Sequence, residues 1–123
     1  MATASITIQD SSLADNTFLL QDQSKGLVEY VDPDSSLAFP LGFNVQHTLK
    51  PAGQLGTDRH LIKFFKTVSS ADYGTATAVV SIQISTPRHD LVSDTVMLDL
   101  FTYATNYLKL SGAFGKILDG ITP

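Results

Sequence analysis

Residues 43–50, Phe43-Asn44-Val45-Gln46-His47-Thr48-Leu49-Lys50, alternate in register from one end to the other. Successive side chains of a strand point to opposite faces. Phe43, Val45, His47 and Leu49 therefore go one way, and Asn44, Gln46, Thr48 and Lys50 go the other. Such a strand belongs to a sheet with one packed face and one wet face.

The neighbouring segments extend the pattern. Gly26 introduces Leu27-Val28-Glu29-Tyr30-Val31, and Asp32-Pro33-Asp34-Ser35-Ser36 ends it, because proline cannot donate to a ladder. Further back, Ser5 to Gln9 and Thr17 to Leu20 flank a turn-rich stretch and predict an N-terminal hairpin. Beyond the glycine-containing turn at 51–56, Arg59 to Val68 resumes β character. Ser69 to Gly74 reads as a loop, and Thr75 to Ser85 as a last strand rich in Val, Ile and Thr.

At Thr86-Pro87 the period changes from two to about 3.6. From Asp90 to Leu110 a polar stripe of Thr95, Asp99, Thr102, Asn106 and Lys109 runs beside a wide apolar face of Val96, Met97, Leu100, Phe101, Ala104, Tyr107 and Leu108. Asp90 or Ser93 is the expected N-cap, with Asp94 near the positive end of the dipole and Lys109 near the negative end. Ser111-Gly112 stops this helix, and Ala113 to Leu118 forms a short second one. Strands followed by segregated helices are the α+β pattern. The helix is expected to cover the apolar side of the sheet, which leaves the face of Asn44, Gln46, Thr48 and Lys50 to solvent or to a ligand.

Composition bounds the function. The chain of 123 residues suits one domain, expected as a hairpin over 1–24, a sheet over 25–87 and helices over 88–123. Hydrophobic residues make up 43% and charged residues 16%, which excludes a disordered chain and suggests that copies of itself cover part of its surface. There is no cysteine, hence no disulfide and no thiolate metal site. No run approaches the roughly 20 apolar residues that cross a bilayer, and residues 1–5 lack the features of a signal peptide, so a cytoplasmic protein is expected.

Net charge is −4, but its distribution is uneven. Residues 1–34 carry Lys25 against Asp10, Asp15, Asp22, Glu29, Asp32 and Asp34; residues 44–66 carry Lys50, Arg59, Lys63 and Lys66 against Asp58. Local charge is what a phosphate backbone feels through a screening length of about 8 Å. His47 reads as a core or interface histidine. His60 and His89 have no carboxylate or histidine at metal-ligand spacing, and Asp32-Pro33-Asp34 lacks the loop that would complete a calcium site. No nucleophile elbow, phosphate-binding loop or zinc motif appears. Neither an enzyme nor a cofactor is expected.

The order and spacing of five pieces resemble the coat protein family of the single-stranded RNA bacteriophages, over nearly the whole chain. They are Gly26 to Tyr30, the alternating strand Phe43 to Lys50, the stretch Asp58 to Phe64, the strand end Ile82 to Pro87, and the helix from Ser93. The resemblance implies a homodimer in which the helices of each subunit lie across the partner's sheet, so that two sheets form one surface. Val96, Leu100, Phe101, Ala104 and Leu108 would line that interface. It also implies an icosahedral shell with helices outward, assembled in the bacterial cytoplasm around single-stranded phage RNA. Ser70, Ala71, Asp72, Tyr73 and Gly74 would make contacts between dimers. No membrane and no small-molecule substrate is implied. The family sheet has five strands after the hairpin, which would require Arg59 to Val68 to bend into two; the residues themselves show four.

The candidate RNA-binding residues are Asn44, Gln46, Thr48, Lys50, Arg59, Lys63, Val79, Ser81 and Gln83. The family motif carries the role onto Gln46, Thr48 and Lys63 first, then Val79 and Ser81. Lys50, Arg59 and Lys63 would neutralise phosphates, while Asn44, Gln46, Thr48 and Ser81 would hydrogen-bond unstacked bases. Where well-known relatives place a stacking aromatic, this chain has Val79, and a stacked base is worth roughly 1–3 kcal/mol. Packaging of RNA is therefore expected ahead of recognition of one hairpin. The alternative is a dimeric β-sheet RNA-binding module that forms no shell.

Overall fold

The computed structural model describes residues 3–36, 38–49, 56–87 and 92–122. Six strands form one sheet in sequence order: β1 (Ser5–Gln9), β2 (Asp15–Ser24), β3 (Leu27–Val31), β4 (Leu41–Thr48), β5 (Thr57–Ser70) and β6 (Gly74–Pro87). Two helices follow, α1 (Asp94–Leu108) and α2 (Ala113–Leu118). The chain divides into two compact units, 1–85 and 86–123.

The alternation of residues 43–48 is borne out by the register. Phe43 pairs with Tyr30 on one side and Phe64 on the other, and Val45 pairs with Val28 and Ile62. Phe18, Tyr30 and Phe43 are buried, with Ile6, Ile8, Leu20, Val28, Leu41, Val45 and Phe64 packed against them. The Phe43 ring stacks on Tyr30 and on Phe64, each at 4.8 Å between centroids, and meets Phe18 edge-on at 5.2 Å. Each such pair contributes about 1 kcal/mol beyond its buried area. The Tyr30 hydroxyl donates to the Thr3 carbonyl at 2.8 Å, which satisfies the one polar atom of the cluster.

The expectation of five strands after the hairpin is corrected: β5 runs unbroken and four strands follow. Its fourteen residues hold no glycine or proline that would break it. The expected N-terminal hairpin is formed by β1 and β2, and β2 joins it to the rest of the sheet by pairing with β3 through the two-residue connection Lys25-Gly26, with Gly26 at φ 79°. An extra residue on β2 between Leu20 and Asp22 shifts the register there.

The turns are held by their own side chains. The Asp10 carboxylate accepts from the Ala14 and Ser12 amides and the Ser12 hydroxyl. The Ala14 amide is the largest of these influences and holds the carboxyl below its ordinary range, followed by the hydroxyl and the amide of Ser12. A lowered folded-state pKa means that this contribution to stability is present above the ordinary carboxylate value and fades as pH falls through the lowered one. Asp32 caps its own turn in the same way through the Asp34 amide, as befits a turn rather than a calcium loop.

In the helical unit Ser93 is the N-cap, its hydroxyl accepting from the Val96 amide, with Asp94 in the first turn and Lys109 at the C-cap. The alternative cap, Asp90, lies outside the described residues, as does His89. Gly112, at φ 75°, makes the corner into α2, where Ala113 is buried.

Gly42 tests the register. A Cβ there would collide with the Tyr30 carbonyl oxygen and approach Phe65 Cζ to 3.1 Å and Val31 Cα to 3.3 Å. Backbone cannot yield as a side chain can, so Gly42→Ala is expected to lower the unfolding free energy by about 2–3 kcal/mol, measured by chemical denaturation.

Candidate nucleic-acid interface

The polar face of the sheet is built by parity from β4. Asn44 pairs with Glu29 and Lys63, Gln46 with Leu27 and Leu61, and Thr48 with Arg59. Directly paired residues share a face, so these side chains form one surface. β6 joins it at Gln83, which lines a shallow depression together with Gln46, Thr48, Arg59 and Leu61. Alternation along β6 carries Val79, Ser81 and Ser85 to the same side. The hydroxyls of Thr67 and Thr77, 2.9 Å apart, tie β5 to β6 on this face. Of the nine candidates, eight are thus brought together; Lys50 lies outside the described residues.

The depression is lined by polar side chains and one leucine. Gln46 and Gln83 each offer an amide donor and acceptor, Arg59 offers a cationic fork, and Leu61 provides an apolar surface. Lys63 stands two residues further along β5, beside Asn44, and is half-buried. Planar groups with hydrogen-bonding edges and phosphates fit such a lining. Val79 is half exposed on the edge strand, where it offers aliphatic contact but no ring to stack upon.

The cations divide by parity. Arg59 and Lys63 are on the polar face, whereas Lys66 pairs with Leu41 and so lies on the opposite one. Glu29 pairs with Asp22 on the polar face, and Asp15 pairs there with Gln9. The surface is therefore acidic over β2 and β3 and basic over β5. Alternation along β5 sets Lys66 apart from Arg59 and Lys63, and its pairing with Leu41 agrees.

Sequence reading missed one contact. His47 pairs with His60, Nδ1 to Nδ1 at 2.8 Å, on the face opposite the candidate interface. His47 is exposed, not a core histidine. Nothing in the spacing of residues 47 and 60 signals this; it needs the β4–β5 register. The loop candidates Ser70 to Gly74 form the tight β5–β6 turn, with the Asp72 amide donating to Ser70 Oγ and Tyr73 91% exposed. On α1, Val96, Leu100, Phe101, Ala104 and Leu108 are all exposed, and no residue of this helix is buried. Among the described residues no group of three or more His, Asp or Glu side chains gathers as a metal cage.

No family model and no curated protein matches this sequence. Solved structures do match in three dimensions. The virus-like particle of bacteriophage AVE019 has a TM-score of 0.79 at 14% identity, covering 100% of this chain and 99% of that one. The virus-like particle of Beihai levi-like virus 21 gives 0.68 at 14% identity, over 100% and 98% of the two chains. The capsid protein of bacteriophage GA gives 0.59 at 11% identity, over 97% and 95%. The chain has the fold of levi-like phage coat proteins: a six-stranded antiparallel sheet followed by two helices.

Replacing Lys63 by alanine is expected to weaken binding of single-stranded RNA and to reduce the slope of log affinity against log salt by about 0.7, the share of one phosphate. Filter binding at several salt concentrations measures both. Lys66→Ala, on the other face, is expected to leave the slope unchanged.

Proposed function

We propose that this protein is a phage coat protein that dimerises edge to edge, closes into an icosahedral shell, and packages single-stranded RNA against the inner, polar face of its sheet. The observation that carries this reading is the likeness of fold to virus-like particles along essentially the full length of both chains. The chain then resides in the virion, assembled in the bacterial cytoplasm.

Two features of the chain support self-association. β6 is an edge strand of fourteen residues, Gly74 to Pro87, with no charged side chain, whereas edges meant for solvent are normally blunted by charge. Pairing of two such edges joins two six-stranded sheets into one. The second feature is α1, whose Val96, Leu100, Phe101 and Leu108 are 40–56% exposed. Laid across a partner's sheet, these side chains leave water and cover the apolar surface around Val45 and Ile62. Tyr73, at the tip of the β5–β6 turn, is then available for contacts between dimers.

The charge division favours RNA at the middle of the joined sheet. Joining β6 to β6 brings the two basic halves, each with Arg59 and Lys63, to the centre and leaves the acidic strands β2 and β3 at the flanks. RNA is drawn to that central strip mainly through phosphates, with Gln46, Thr48, Asn44, Ser81 and Gln83 offering hydrogen bonds to exposed bases. With Val79 in place of a stacking ring, packaging rests more on charge than on one hairpin.

Electron microscopy of the purified recombinant protein is expected to show uniform hollow particles of small-virus size. Dimers alone, at every concentration and salt tested, would instead indicate an RNA-binding module without a shell. Phe101→Ala and Leu108→Ala are each expected to weaken the dimer by about 2 kcal/mol or more, roughly thirty-fold in Kd, as measured by sedimentation. A folded variant with unchanged dimer affinity would remove α1 from the interface.

A further inference from the structure

We propose that His47 and His60 form a bidentate site for a late first-row transition ion, Cu(II) above all, on the sheet face opposite the candidate RNA interface. The two residues are direct cross-strand partners, their rings meet at 73° with centroids 5.0 Å apart, and their Nδ1 atoms are 2.8 Å apart. The separation is that of the N–H···N hydrogen bond between the rings, and it is one that a shared ion can keep once both rings turn their lone pairs onto it. Two imidazole nitrogens bound at about 2.0 Å and at a right angle are about 2.8 Å apart, whereas tetrahedral ligation needs about 3.3 Å. The spacing suits cis positions of a tetragonal centre, the geometry of Cu(II) and Ni(II), and copper stands highest in the affinity order for nitrogen ligands.

The backbone holds the pair in place. His47 lies in β4 between two strands, its amide donating to the Gly26 carbonyl at 2.8 Å, while its partner sits in the unbroken β5. A site carried on paired strands loses little conformational freedom when an ion arrives. His47 is exposed and His60 partly so, which leaves solvent access and room for water as the remaining ligands. In the neutral pair one Nδ1–H donates to the other Nδ1. On chelation that proton moves to Nε2 of its own ring, so the ion replaces a hydrogen bond through a change of tautomer, with no net proton release. The chain has no cysteine and only one other histidine, His89, so few side chains compete for the ion.

The site uses neither the polar face nor RNA, but it is the next same-face pair beyond Val45 and Ile62, so the ion binds where the proposed partner helix leaves the two rings open, and its failure would leave the coat-protein reading standing. Its test is a copper titration of the untagged full-length protein in a weakly coordinating buffer, read by calorimetry and by electron paramagnetic resonance. The unmodified protein is expected to take up one Cu(II) per chain, with a spectrum showing two imidazole nitrogens. His47→Ala and His60→Ala are each expected to weaken binding at least ten-fold, and His89→Ala to leave it unchanged. A spectrum with a single nitrogen ligand, or equal affinity in the folded His47→Ala/His60→Ala double variant, would overturn the assignment. The nitrogen count on the unmodified protein decides the matter even if a variant fails to fold.

Discussion

The ring of Phe43, stacked between Tyr30 and Phe64 and met edge-on by Phe18, is the contact on which the rest of the sheet depends. It ties three adjacent strands at one level. Because side chains alternate with period two, placing Phe43 inward places Asn44 outward, and with it Gln46, Thr48, Lys63 and Arg59. A slip of one residue between β4 and either neighbour would break the stack and scatter the polar set to the other face. One hydrophobic choice thus specifies both the core and the surface opposite it. The extra residue at Leu20/Asp22 lets β2 keep Leu20 beside Tyr30 while its far end follows a different phase.

Much of this is legible in the sequence, for a physical reason: alternation is local, and a half-buried strand displays it in consecutive residues. Phe43 to Thr48 and the shift of period at Thr86-Pro87 are of this kind; the helix cap is legible only as Asp90 or Ser93, of which Ser93 accepts from the Val96 amide. Strand ends were less legible. β2 continues through Gln21 to Ser24, a polar run whose strand character comes from pairing with β3 rather than from its own composition. The unbroken course of β5 went against a bend implied by family likeness, and its lack of glycine or proline was the local signal on the other side. Contacts across strands were the least legible of all. That His47 touches His60 follows only from the β4–β5 register.

The charge pattern shows how a chain with net charge −4 can carry a basic surface. Acidic side chains are concentrated in the N-terminal strands and cations on β5, so sequence order becomes spatial order across a sheet whose strands follow one another without crossover. In a meander, a gradient written along the chain is reproduced across the surface. A fold with crossing connections would have mixed the two signs and cancelled the local field within a screening length.

The uncharged edge at β6 also has a kinetic side. A long strand with free donors and acceptors accepts any extended segment that reaches it, native or not. Under the proposed edge-to-edge pairing, each chain between synthesis and association would face a competition between a second copy and misfolded polypeptide, in which the winning rate depends on concentration. Slow, sparse production favours the wrong partner; a burst of synthesis favours the right one. Protein made in quantity over a short time is well matched to such an edge, and the feature that would serve the proposed assembly also makes the isolated chain prone to aggregate.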